Sequence, residues 1–270
     1  MTKFDLIVLG IDAAWTIAQP SGVALAGRSA AHWEVIAVAP SYLDFMAIAK
    51  GTGPVGGKPT GSAPKAAELL NASEQLAGAT VNLVAIDMPL SRKQIVTRRS
   101  ADNAVSRAYG GRKCGTHTPS ITRPGKISDD LRAEFENAGY QLCTEQIASP
   151  GLIEVYPHPA LVELTGAPER LPYKAGKVRA YWRDMTPPAR RLKLFEQWQS
   201  IGEHLDAKLS GALAAIPSVG AHSSGADLKA CEDIIDAIVC AWIAATALDG
   251  KATPFGDADS AIWIPQQELL

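Results

Sequence analysis

The feature that most constrains this 270-residue chain is a pair of acids set three residues apart in an apolar helix. In Cys231-Glu232-Asp233-Ile234-Ile235-Asp236-Ala237-Ile238-Val239-Cys240-Ala241-Trp242, nearly every neighbour of Asp233 and Asp236 is apolar. Helical periodicity puts both carboxylates on one face, about one turn apart. A helix that is apolar on almost every side belongs inside a protein. A buried carboxylate without a partner is costly, and two side by side repel, so the pair needs neutralising charge. No Lys or Arg follows at helical spacing, which leaves a divalent cation as the expected partner. Oxygen-only ligands favour magnesium or manganese. The plainer alternative, acids serving the positive end of a helix, accounts for Glu232 and Asp233 but poorly for Asp236. The helix is predicted from about Gly225 to Leu248.

Two strand-like runs also end in an acid. Leu6 to Leu9 leads through Gly10-Ile11 to Asp12, and Val81 to Ile86 leads to Asp87-Met88-Pro89, where the proline ends the ladder. Either acid alone reads more simply as a turn former; the helix pair is what makes a shared acidic centre the better reading. Ser21 to Ala26 and Trp33 to Val38 read as short strands whose short intervals suit antiparallel pairing. Leu152 to Tyr156 is a further strand, stopped by Pro157-His158-Pro159. Its Glu154 alternates with Ile153 and Val155 and fits solvent exposure as well as it fits the acidic set. Helices are predicted at Lys65 to Ala77, around Thr97 to Tyr109, and at Ser128 to Ala138 with a side-chain cap. Ala261 to Ile264 is expected as an edge strand. Together these elements argue for one mixed sheet with helices on its faces. Gly51 to Pro64 reads as a loop. Its Gly57-Lys58 is followed by Pro59, not Ser or Thr, and follows no strand, so it is not a phosphate cradle.

The net charge of −2 conceals a segregation. Ser91 to Ser128 holds nine Lys or Arg against Asp102, and Arg170 to Lys193 holds eight against Asp184, so 17 of the 26 basic residues lie in two stretches. That asymmetry suits a phosphate-rich partner better than general solubility. Arg98, Arg99, Arg107, Arg112, Lys113, Lys174 and Lys177 are the candidate nucleic-acid contacts. Tyr181 and Trp182 fit core packing better than base stacking. Cys114, Cys143, Cys231 and Cys240 lack paired spacing, which argues against a zinc site or a disulfide framework. No leader is expected, because the chain runs straight into strand-like sequence, and no apolar run reaches the roughly 20 residues of a membrane span. The expectation is a cytoplasmic protein.

The pattern Leu9-Gly10-Ile11-Asp12 followed by Gly22-Val23-Ala24 resembles the first hairpin of the ribonuclease-H-like superfamily. Asp233-Ile-Ile-Asp236-Ala237 is similar to the last helix of RuvC-type Holliday-junction resolvases. Val84-Ala-Ile-Asp87 matches their fourth strand, although those enzymes commonly carry Glu there. Most of the chain resembles domain-of-unknown-function family 429, described as ribonuclease-H-like nucleases. The likeness rests on Ile86-Asp87-Met88-Pro89-Leu90, on Arg99 to Arg107 with Asp102, on Glu154 to Pro159 and on Asp233 to Ala245. The resemblance implies one α/β domain over residues 1–270, with a mixed five-stranded sheet in the order 3-2-1-4-5 flanked by helices. Basic insertions would occupy about 91–128 and 166–204. It further implies a hydrolase in which Asp12, Asp87, Asp233, Asp236 and Glu154 serve phosphodiester cleavage. The first four would bind two magnesium or manganese ions about 4 Å apart, with Asp12 bridging. DNA or RNA would be the partner, and a homodimer is allowed because resolvases act as dimers. Two other functions compete. An actin-like ATPase would need small residues where bulky Trp15 stands in Ala13-Ala14-Trp15-Thr16. A non-catalytic nucleic-acid-binding protein would have no use for four retained acids. His117 and His158 fit ordinary loop and turn roles better than proton transfer.

Overall fold

The computed structural model describes residues 3–30, 32–53 and 57–266, so residues 54–56 of the expected loop fall outside it. In chain order the elements begin β1 (Leu6–Asp12), β2 (Gly22–Ser29), β3 (His32–Ala39), α1 (Tyr42–Ala49), α2 (Ala66–Ala77), β4 (Leu83–Ile86) and α3 (Ser100–Tyr109). They continue α4 (Lys126–Asn137), β5 (Gln141–Leu142), β6 (Gly151–Val155), α5 (Pro157–Thr165), α6 (Val178–Tyr181) and α7 (Pro187–Asp206). The last are α8 (Ala212–Ala215), α9 (Gly225–Leu248), β7 (Ala252–Gly256) and β8 (Ala261–Pro265).

The strands make one open mixed sheet in the order β3-β2-β1-β4-β6-β8-β7, with β5 paired to β6 beside that path. β1 to β3 run antiparallel; β4, β6 and β8 continue parallel to β1, and β7 is antiparallel to β8. Among the described residues eight strands therefore replace the five expected. The expected order survives in the first five places, with β6 in the fifth. The edge is β7, not β8. Its sequence Ala-Thr-Pro-Phe-Gly carries little strand patterning, and an edge is where Pro254 is tolerated.

Side-chain alternation divides the two faces of the sheet. Val8, Leu83, Ala85 and Ile153 pack with α9 and α7, whereas Ile7, Leu9, Val84, Ile86 and Leu152 pack with α1, α2 and α4. Burial on both faces explains why β1 and β4 read as unbroken apolar runs. Helix α9 lies directly on β1 and β2. A Cβ on Gly10 would strike Ala237 O and Ala241 N and come within 2.8 Å of Ala241 Cα. A Cβ on Gly22 would strike the Asp233 carbonyl. Every residue of α9 from Cys231 to Ala245 is buried, as its composition required.

Two local expectations change. Helix α4 starts at Lys126 after Gly125, with no side-chain cap, because the Ser128 hydroxyl donates to Gly125 O (3.1 Å). Pro157 ends β6 but also opens α5, where its fixed φ suits the first turn. Among the described residues no helix is long and apolar enough to cross a membrane.

Candidate functional site

Strand register and period-two alternation bring Asp12 and Asp87 together. Ile11 pairs with Ile86 in the parallel β1–β4 ladder, and the Asp87 N–H donates to Ile11 O at 2.9 Å, so the two acids leave adjacent strand ends side by side. Asp12 shares the face of Val8 and Gly10, and Asp87 that of Leu83 and Ala85; this is the face covered by α9. Across from them, α9 presents Asp233 and Asp236, 1% and 0% exposed. Asp12 pairs with Gly22, which lies against the Asp233 backbone. The four acids that the sequence picked out thus converge, with Asp12 and Asp87 half-buried at the rim.

Their counter-charge includes two lysines. Lys229, one turn before Asp233, pairs with that carboxylate, and Lys174, between α5 and α6, pairs with Asp236. The expectation that no basic residue serves the helix pair is therefore corrected. Lys229 precedes the acids at i−4 rather than following them, and Lys174 arrives from 62 residues away in sequence. Asp236 is fully engaged: Oδ1 accepts from the Tyr173 hydroxyl at 2.7 Å and Oδ2 from Lys174. Glu232 lies within 3.4 Å of Lys174 and accepts the Ala175 N–H at 2.6 Å. The Asp233 Oδ2 is buried with no hydrogen-bond partner. Among the described residues, no three Asp, Glu, His or Cys side chains are drawn into a ready-made metal-ligand group.

Desolvation, then the charges of Asp236 and Asp233, pushes the Asp12 carboxyl well above the usual carboxylate range. Desolvation and Asp236 push Asp87 up to about 8, and desolvation raises Asp233 to about 6 despite Lys229. In the unfolded chain such groups release their protons near 3.8. Between that pH and about 8 the native state therefore holds more protons than the unfolded state, and stability falls as pH rises through the window. In chelator-containing buffer, Asp87→Asn should flatten the upper part of this decline and raise stability at pH 8 by about 1–2 kcal/mol, discounted for partial exposure. Denaturant midpoints at pH 5 and pH 8 test this. Parallel profiles for wild type and variant would show that Asp87 carries no such burden.

Glu154 does not join the group. It shares the face of Leu152, opposite that of Ile153 and Val155, and so projects away from α9. Solvent exposure is corrected as well, since Glu154 is 3% exposed. It meets Arg99 through two bonds, Nη1 to Oε2 at 2.6 Å and Nη2 to Oε1 at 2.7 Å. Arg99 also holds Asp102 and the Leu90 carbonyl (2.7 Å), while the Leu90 N–H donates to Glu154. This buried network clamps the turn that follows Asp87. Arg99, expected as a phosphate contact, is instead held inside the protein by Glu154 and Asp102. Removing it would strand two carboxylates, so Arg99→Met should cost about 3 kcal/mol. A chemical-denaturation midpoint equal to wild type would contradict that role.

The other basic candidates divide. Arg112 pairs with Glu163, Lys113 with Glu169, and Lys174 with the acids above. Arg98 bonds Asn103, Ser106 and Thr118, which knits α3 to the following loop. Arg107 and Lys177 are exposed. Trp15 lies under the Arg123 guanidinium (5.7 Å), and Tyr181 and Trp182 pack edge to face on one another (5.6 Å). Lys229 was legible as Lys-x-x-x-Asp; nothing local marked Tyr173 or Lys174.

Fold and site together define a mixed α/β protein with an open sheet and a carboxylate–lysine centre where two strand ends meet a buried helix. The chain belongs to the family described as "Protein of unknown function (DUF429)", whose model matches residues 10–260. No curated protein and no solved structure matches it.

Proposed function

We propose that this chain is a metal-dependent nuclease with a ribonuclease-H-like catalytic arrangement. The observation that carries the reading is the register that sets Asp12 beside Asp87 under α9, whose buried Asp233 keeps an unpartnered Oδ2. The donors fit a hard divalent cation. They are all oxygens, one is buried without a partner, and burial, then the neighbouring carboxylates, raises the pKa of Asp12 and Asp87. Asp12 and Asp87, with the free oxygen of Asp233, are the groups that would hold the cation, which would need to draw them closer than they stand. Magnesium or manganese held there would supply positive charge toward an attacking water and the phosphoryl oxygens of a phosphodiester.

The remaining groups give supporting roles. Lys174 and Tyr173 fix Asp236, and the Arg99–Glu154 clamp fixes the turn behind Asp87. Exposed Arg107 and Lys177 would meet phosphates and make affinity salt-dependent. The test is a cleavage panel of single strands, duplexes, RNA–DNA hybrids and branched junctions with magnesium or manganese. Cleavage that stops on chelation and on loss of Asp12 supports the reading. An intact, folded protein that cleaves none of them, or equal activity in the Asp12 variant, defeats it.

A further inference from the structure

Beside the carboxylates lies a group of hydrogen-bond donors and cations that nothing in the chain satisfies. β6 runs next to β4 with Ile86 paired to Glu154, so Tyr156 and His158 leave the sheet at the end that carries Asp87. The His158 ring stands between Tyr156 (5.3 Å between centroids) and Tyr173 (5.5 Å), and Tyr173 in turn bonds Asp236. His158 is 8% exposed, and its Nδ1 is buried with no hydrogen-bond partner. Burial, then the charges of Lys174, Arg170, Lys177 and His117, which face the ring, holds its pKa well below the ordinary range. The imidazole is therefore neutral and carries one N–H. The Tyr181 hydroxyl is likewise buried without a partner, and Arg170, Lys174 and Glu232 face it. Buried polar groups are normally bonded, so two orphans around the same arginine call for an explanation.

The cations are left over in the same way. Arg112 pairs with Glu163, Lys113 with Glu169, and Lys174 with Asp236 and Glu232, whereas Arg170 and Lys177 pair with no carboxylate among the described residues. Arg170 is nevertheless held in place. Its backbone N–H donates to Arg112 O at 2.9 Å, and the Arg112 guanidinium binds the Ala167 carbonyl of the same loop at 2.7 Å. A fixed loop thus presents a half-buried guanidinium with no acceptor of its own. The acids that border the group are Asp87, which faces Tyr156, and Glu232, which already holds Lys174 and the Ala175 N–H.

We infer that Arg170, Lys177, His158 and Tyr181 form an oxyanion subsite beside the carboxylate centre, and that it holds a phosphate group of the bound strand. Donors and cations without an acceptor are complementary to a negatively charged group that only accepts, and a guanidinium matches phosphate oxygens in geometry as well as charge. The subsite deepens the nuclease reading and rests on it, since Tyr173 touches both His158 and Asp236 and a strand seated here would pass the carboxylates. An internal phosphodiester and a terminal monoester offer the same oxygens.

The test is fluorescence anisotropy of the full chain with short labelled DNA and RNA strands that end in a phosphate or a hydroxyl, in chelator so that neither metal nor cleavage enters. Arg170→Met should weaken binding about tenfold and lower the slope of log affinity against log salt by about one, and Arg170→Lys should restore most of both. His158→Phe keeps a packed ring and removes the orphaned nitrogen, so it should weaken binding about threefold or more while the melting temperature holds or rises. Lys65→Met removes the same charge from α2, on the opposite face of the sheet, and should change affinity less than about twofold. Losses with either strand end assign the phosphodiester, and losses confined to phosphate-ended strands assign the monoester; both support the subsite. Arg170→Met indistinguishable from Lys65→Met, or His158→Phe binding as tightly as wild type, would overturn it and leave metal-dependent cleavage untouched. Arg170-dependent binding by a chain that cleaves nothing keeps the subsite and removes the nuclease reading. A wild-type chain that binds none of the strands overturns both.

Discussion

Asp12→Asn is expected to lower cleavage at least 10³-fold, about 4 kcal/mol in the barrier, while leaving the fold intact. The substitution keeps the side chain's shape and removes its charge. Asp12 stands at the end of β1, beside Asp87 on the neighbouring strand and opposite Asp233 on α9, so it is the acid common to both sides of the centre. Among the described residues it makes no ion pair of its own, although its charge helps to hold the Lys229 ammonium. Desolvation and two neighbouring carboxylates already disfavour its charge, so the amide should hold or raise stability in metal-free buffer. Opposite signs for activity and stability distinguish a working group from a structural one. Rates with magnesium and melting temperatures with chelator, measured on one preparation, decide it. Lost activity accompanied by lost folding would make Asp12 a structural residue.

Gly10→Ala is expected to unfold the protein or destabilise it by more than about 4 kcal/mol, beyond ordinary overpacking. The new methyl would meet Ala237 O, Ala241 N and Ala241 Cα, all backbone atoms of a helix buried along its length. No side chain can rotate away, and moving α9 would open the core and pull Asp233 and Asp236 from the strand ends. Gly110→Ala is the control, because nothing lies within 4 Å of its Cβ position and its φ of −61° suits alanine. It should be neutral within about 0.5 kcal/mol or slightly stabilising. Equal denaturation midpoints for the two variants would mean that α9 does not rest on β1 as described.

Both predictions follow from features already visible in the residue order. The apolar run around Asp233 and Asp236 required a buried helix, and the structure places it at Gly225–Leu248. Gly10-Ile11-Asp12 and Ile86-Asp87 required strand ends, and period-two alternation aimed both acids at the helix. Where the residue order misled, the missing information was a partner distant in sequence. Glu154 alternates like a solvent-facing residue, yet its side of the sheet is covered and Arg99, 55 residues earlier, neutralises it. Arg99 itself looked like one more cation in a basic stretch. β7 was missed because an edge strand buries little and tolerates proline, which weakens its pattern.

Local periodicity, then, determined which elements form and which face each acid takes, because backbone geometry repeats every two or 3.6 residues whatever lies elsewhere. Only the tertiary structure decided which carboxylates keep a free oxygen. That depends on where an ammonium from a remote segment comes to rest, and Lys174 reaches Asp236 because Trp198, Glu232 and the buried Tyr173 fix its backbone there. Charge pairing over such separations leaves no periodic trace in a sequence.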